Sequence, residues 1–513
     1  MALPFAPLPA DQFDAYKAAH LLWRAGFGGT WEEIEALAAR GLKGAVDSLV
    51  NFPASQENAP PECAQSPAES DRAFAQKLRG LDEQARRKLV NERQQNERSN
   101  ITDLRFWWLN RMLTTARPLE EKMTLFWHGH FATSFEEKVQ HAFPMWQQNQ
   151  MFRRLALAPF PELLKALIRD PAMLVFLDNW QSHRGRPNEN FARELMELHS
   201  LGVGNYTEAD VKAAARALTG WSVNREAWSF VKHGDAHDDD GKTYLGQTGN
   251  WDGDDVVRII TEQPACARFI ARKLFEFFVY EKPEPQIVDA AANIYRGSNY
   301  DLALFLTTLF SSQIFYSERA ANAVVKSPVV LTIGALKSMR VKVPQKDVLV
   351  SALRLMGQDL FFPPEVNGWP GGMAWINSNM LLVRYNFANW LLNGVSPDQF
   401  KTFNKKQAGS NLKRREFVEG QRDTSVVEWS PRGQLHELGL DRKFVTSADI
   451  VDYYVKEFLA RPVAPTLRQQ LLAFAETDAA GGRRTFSLND ANFDERVRDL
   501  VHLMMSSPDY QLC

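Results

Sequence analysis

Asn188 to Gly202 reads NENFARELMELHSLG. It sets three carboxylates, two amides and a histidine on one apolar-backed helix. Asn190, Glu194 and Glu197 stand at i, i+4 and i+7 and so share a face, while Glu189 and Arg193 form an i, i+4 pair of small energetic worth. His199 lies two beyond Glu197 and joins that face only if the helix stops there, which Gly202 and Gly204 favour. Outward from this stretch the periodicity stays helical along nearly the whole chain. Helix starts are spelled by Thr30 with Glu33, Ser134 with Glu137, Thr207 with Asp210 and Thr466 with Gln469. Asp71 to Thr115 reads as one long helix, charged first and aromatic later. The clearest β signal is Trp221 to Leu245, where WSVNREAWSFVKH and GKTYLG are expected to pair with HGDAHDDDG as the tip.

The expected fold is therefore mainly α: a large multi-helix, bundle-like domain over residues 1–400 with a small β-hairpin insertion near 221–245. A polar surface excursion follows over 401–447, and a C-terminal helical module over 448–513 packs on the main domain. The run from Phe269 to Tyr316 and that from Ile450 to Tyr510 share a plan: helix, basic-Pro elbow, helix, then an apolar helix closed by Ser-Ser and an aromatic. Two hairpins solving one packing problem alike, or a duplicated module, both account for these helical-hairpin repeats.

The 513 residues carry 60 basic and 62 acidic side chains, a formal charge of -2, so no overall field recruits nucleic acid or an anionic membrane. Basic residues are scattered rather than interleaved with aromatics, which argues against a nucleic-acid partner. Cys63, Cys266 and Cys513 have no metal or disulfide spacing. The start has no basic region followed by an apolar run, and no stretch of about 18 apolar residues occurs, so the expectation is a cytoplasmic protein without a membrane span.

The chemistry concentrates in three places. In WHGHF, from Trp127, His128 and His130 point to opposite sides if helical, but make a two-ligand spelling if the segment is extended or ends at Gly129. The alternative is that both brace the helix. In HGDAHDDDG, from His233, the groups His237, Asp238, Asp239 and Asp240 read either as a solvated turn or as what a hard cation wants, with no EF-hand spacing. Asp254 or Asp255 is expected to cap the helix that follows. GWPGGMAWINS, from Gly368, reads as a rigid wedge in which Asn377 or Ser378 caps the next helix and Trp369 is a candidate ligand contact. No GxSxG elbow, P-loop, GxGxxG after a strand or HExxH occurs.

HLLWRAGFGGT from His20, KMTLFWHGHFATS from Lys122, PNENFARELMELHSLGVGNYTEADV from Pro187, HDDDGKTYLGQTGNWDGDDV from His237, PPEVNGWPGGMAWINS from Pro363 and the closing SSPDYQLC together resemble the domain-of-unknown-function-1800 family of bacterial proteins. The resemblance runs nearly end to end but brings no settled activity. Family members often resemble secreted or surface-associated proteins encoded beside a sulfatase-like, exported family. The resemblance thus implies a sulfatase-like companion protein as a partner and export with it, although this chain shows no signal.

Two functional classes follow. One is a metal-dependent enzyme, hydrolytic in type, with a divalent ion (zinc, iron, manganese or calcium) on His128, His130, His237 and Asp238. There Glu197 is the general base, Glu194 a second catalytic carboxylate or further ligand, and Asn190, His199, Trp127 and Trp369 contact substrate. The other is a non-catalytic helical scaffold or chaperone-like partner of the co-expressed exported protein, which should show a broad exposed apolar patch.

Overall fold

The computed structural model describes residues 4–52, 59–66, 69–342, 346–393, 429–440, 443–444, 446–477, 482–483 and 485–513. Of the expected polar excursion, 401–428 lies outside the described residues, and Pro431–Glu437 is a helix. Cα packing divides the chain into two compact units drawn from discontinuous stretches: Met1–Leu8, Val46–Ala320 and Asp359–Pro370 make the first; Pro9–Ala45, Ala321–Gln358 and Gly371–Cys513 the second. Both are helical, and strands among the described residues form just two two-stranded sheets. The mainly α class with a small β insertion is what the sequence predicts. No helix among the described residues is long and apolar enough to cross a membrane.

In the first unit, the single helix expected over 71–115 is two. Asp71–Leu78 is capped by Ser70 and Glu83–Thr114 by Asp82, each through its side chain, and Gly80, a poor helix former, sits between them. The longer helix buries Ile101, Leu104, Trp108 and Met112 at three- and four-residue spacing, so only its second half has a core face. Pro118–His130 follows, started by Pro118 at the first turn, then Ala142–Arg154. Glu121, fully buried, ties the three helices together. It accepts from Trp108 Nε1 at 2.9 Å, from Arg153 Nε and Nη2 at 2.7 and 3.0 Å, and from Arg111.

The β region is two hairpins rather than one. Trp221–Asn224 (β1) pairs with Ser229–Lys232 (β2), and Lys242–Tyr244 (β3) with Gln247–Gly249 (β4). The two-residue loop Leu245–Gly246 has positive φ at both positions, the geometry that closes a tight hairpin locally. The HGDAHDDDG stretch is thus a connection between two sheets, not the tip of one. The helix after it is capped by Asp252, with Asp255 completing a capping box, so neither Asp254 nor Asp255 is the cap residue. The boxes at Thr30 and Thr207 form as spelled. Ser134 opens a π-helical turn with no side-chain cap, and the 465–475 helix starts after Ala464, ahead of the expected Thr466.

The second unit packs Ser378–Asn393 and Ser447–Phe458 against Phe493–Ser506. Asn377 does cap its helix, accepting from Met380 N at 3.0 Å. The two related runs share their form: Pro264–Phe278 then Pro285–Gly297 in the first unit, and Ser447–Phe458 then Pro465–Ala475 in the second, each second helix opening on proline.

Candidate functional site

The WHGHF segment is helical through His130, so His128 and His130 leave the helix on different sides and meet different surroundings. His128, buried, packs among the rings of Trp108, Phe152 and Phe361, and its Nε2 accepts the Asn149 side-chain N–H at 3.1 Å. Burial, with Arg153 adding to it, drops its pKa to about 3. Its lone pair is already used by a protein donor.

His130 turns instead toward the end of the Glu189–Glu197 helix. That helix is capped by Asn188, whose side chain accepts from Asn190 N and Phe191 N. It ends as the sequence predicts, just before His199. The His199 amide reaches back to the Glu194 carbonyl at 3.2 Å, and Gly202 follows with φ +81°. Glycine is required there, because a Cβ would come within 2.9 Å of the Phe269 ring as well as straining the backbone. The early end swings His199 inward, 1% exposed, beside His130.

The two rings lie 6.0 Å apart between centroids. His130 Nε2 is 3.0 Å from the His199 carbonyl oxygen, and since that oxygen only accepts, Nε2 carries the proton. The Nδ1 atoms of both rings are buried without a hydrogen-bond partner. Burial first, then the Lys273 ammonium nearby, holds both rings neutral, His199 at about 3 and His130 well below its usual value. Phe126 stacks on His130, and Phe131 lies edge-on to both rings.

The other expected residues stand elsewhere. His237 Nδ1 donates to the Thr219 carbonyl at 2.9 Å, and Asp238 is held by Arg216 through Nε at 2.7 Å and Nη2 at 3.0 Å. The Arg216 hydrogen bonds keep the Asp238 carboxyl at about 2. The four-ligand set is therefore not assembled: His128 is spent on Asn149, and Asp238 on an arginine. Among the described residues no three His, Cys, Asp or Glu side chains come together in a way that could hold a metal ion. Trp127 is a core residue whose Nε1 donates to the Ala156 carbonyl at 3.2 Å. The Trp369 ring covers Gly129, where a Cβ would lie 3.6 Å from it.

Glu194 and Glu197 are half-buried, and Asn190 on the same face is exposed. The Tyr206 hydroxyl donates to Glu197, while burial and the Glu197 charge raise the Glu194 carboxyl. Arg193 pairs with Glu208 at 2.6 Å instead of Glu189, since the next helix brings a carboxylate into bidentate reach.

Lys273 is the residue that sequence reading missed. It sits inside FIARKLFEFF, which reads as a packing helix, one turn after Phe269 on the same face. A lysine one turn from the aromatic that packs on His130 was the available signal.

The chain matches the model of the family described as "Protein of unknown function (DUF1800)" over residues 20–512, and it belongs to that family. No curated protein and no solved structure matches it.

Proposed function

We propose that the protein is a metal-dependent enzyme of hydrolytic type whose centre is the His130–His199 pair. The observation that carries this reading is the two buried, neutral imidazoles whose Nδ1 atoms have no partner. A buried acceptor left unpaired costs about 1–3 kcal/mol, so the arrangement favours a ligand that takes both. Metal binding requires a neutral imidazole with its other nitrogen held by a carbonyl, which is how His130 is placed. Two metal–nitrogen bonds of about 2 Å can bridge rings at the observed 6.0 Å separation. Imidazole donors suit zinc, copper, nickel or iron rather than calcium.

A bound ion supplies Lewis acidity and lowers the pKa of water. The protein's own groups do the rest. His130 and His199 orient the centre. Glu197, fixed by Tyr206, takes a proton from water as general base. Glu194, whose carboxyl is raised by burial and by the Glu197 charge, returns one to the leaving group.

The scaffold reading, with its sulfatase-like companion, calls for a broad apolar face. Among the described residues the exposed large apolar side chains are Val203, Leu304, Met373, Leu382, Phe474 and Leu503. Single exposed apolar residues need no partner.

The test is turnover of chromogenic ester, phosphoester and glycoside substrates by untagged protein, before and after chelation and metal return. The expected result is activity that chelation removes and metal restores, reduced about 100-fold or more in Glu197→Gln. Turnover indifferent to chelation, or unchanged in Glu197→Gln, contradicts the reading.

A further inference from the structure

The second unit concentrates positive charge in its interior. Lys326 is 2% exposed, and its Nζ lies 3.7 Å from the centroid of the Trp23 ring and 4.3 Å from that of Tyr510. Arg384, 1% exposed, donates from Nη1 to Gln511 Oε1 at 3.0 Å and from Nη2 to the Lys326 carbonyl at 2.9 Å. Arg461 pairs with Asp509, and Arg24 donates to an oxygen of Cys513 at 2.7 Å. Asp509, Tyr510 and Gln511 thus contact one cation each, which gathers Arg461, Lys326 and Arg384 around a single stretch of chain.

The donors outnumber the acceptors. Arg384 Nε, Arg461 Nη1 and the Tyr510 hydroxyl are buried without a hydrogen-bond partner. Among the described residues no carboxylate forms an ion pair with Lys326 or Arg384. Asp509 supplies a carboxylate to the cluster, paired with Arg461. Burial, reinforced by Arg461 and Arg384 against the pull of Cys513, brings the Lys326 amine down to about 7. Buried charges are ordinarily paired, and buried N–H groups ordinarily bonded, so this cluster is short of an anion.

We propose that Lys326, Arg384 and Arg461 bind a doubly charged tetrahedral oxyanion, the group common to phosphate and sulfate. Such an anion has enough acceptor oxygens for both unpartnered arginine N–H groups, the tyrosine hydroxyl and the lysine.

Thermal unfolding and titration calorimetry of the full chain test this, with millimolar phosphate or sulfate against chloride at matched ionic strength. Lys326→Met leaves an apolar stem between the two rings. The wild type should be stabilised by phosphate or sulfate. Lys326→Met should be at least as stable as wild type without anion, and should bind phosphate about tenfold or more weakly. The stronger of the two anions, then phenyl phosphate against phenyl sulfate, identifies the source of the group. No stabilisation of the wild type overturns the proposal. Equal stabilisation of both proteins, an adventitious ion only, also overturns it. So does a destabilised Lys326→Met that binds phosphate normally, which would make the lysine purely structural. Should Lys326→Met fail to fold, acylation of Lys326 in the wild type decides: phosphate should slow it several-fold, and unchanged labelling contradicts the site.

Discussion

His130 donates its ring Nε2–H to the carbonyl of His199, 69 positions away, at 3.0 Å. That bond fixes the tautomer and orientation of the His130 ring and joins the two motifs at this point. The pair depends on the Pro118–His130 helix being held in place and on the Glu189–Glu197 helix ending where it does.

Glu121 holds the first of these helices. In Glu121→Ala the Arg153 guanidinium, with no exposed side-chain surface, loses its carboxylate. Breaking a buried pair by removing one partner costs about 3–5 kcal/mol. Urea unfolding should show a loss of that order, with a loss under about 1 kcal/mol contradicting the anchoring role.

Gly202 sets the other end. Gly202→Ala forces a left-handed backbone on alanine and drives its Cβ against Phe269. The expected cost is about 2 kcal/mol or more by chemical denaturation. The His199 ring should move with it, visible as changed imidazole nitrogen shifts of both His130 and His199. Unchanged shifts would separate the helix end from the pair.

Asp170, fully buried, caps its helix at Met173 N and accepts from Gln148, both at 2.8 Å on the same oxygen. Burial raises its carboxyl to about 7. A folded pKa above the unfolded one means that the native state binds the proton more tightly, so this contribution to stability falls as pH rises from about 4 towards 7. Asp170→Asn keeps one oxygen for both donors and should flatten that part of the stability profile. A profile identical to the wild type would contradict the assignment.

His141 contributes with the same sign in a higher window. Its Nε2 lies 3.4 Å from Asp71 and its Nδ1 3.3 Å from Glu97, with Arg93 also 3.4 Å away. Burial opposes its charge, but the hydrogen bonds to Asp71 and Glu97 outweigh it and raise the pKa. The stabilisation is complete below the unfolded histidine value and is lost as pH rises through the folded one. Proton NMR titration should place His141 above a free histidine, and His141→Gln should remove the corresponding loss of stability. A His141 titrating below the free value refutes this.

Much of the helical framework was legible because capping residues and apolar spacing are local: Thr30, Thr207 and Asn377 cap as they are spelled. The early end after Glu197 was legible from Gly202 for the same reason. The two hairpins were not, because the Leu245–Gly246 turn competes with a longer loop that composition alone favours. Histidine density marked two motifs that meet, yet spacing could not say which ring meets which. Helical geometry sends His128 and His130 apart, and only tertiary packing brings His199 and Lys273 to one of them.

The most direct test of the central claim is the metal content of untagged protein by elemental mass spectrometry. It should be run beside His130→Gln/His199→Gln and Asp238→Asn, with circular dichroism confirming the fold of each. Close to one transition-metal ion per chain is expected in the wild type and Asp238→Asn, with its loss from the double histidine variant. A wild type without metal, or metal that survives removal of both histidines, would contradict it.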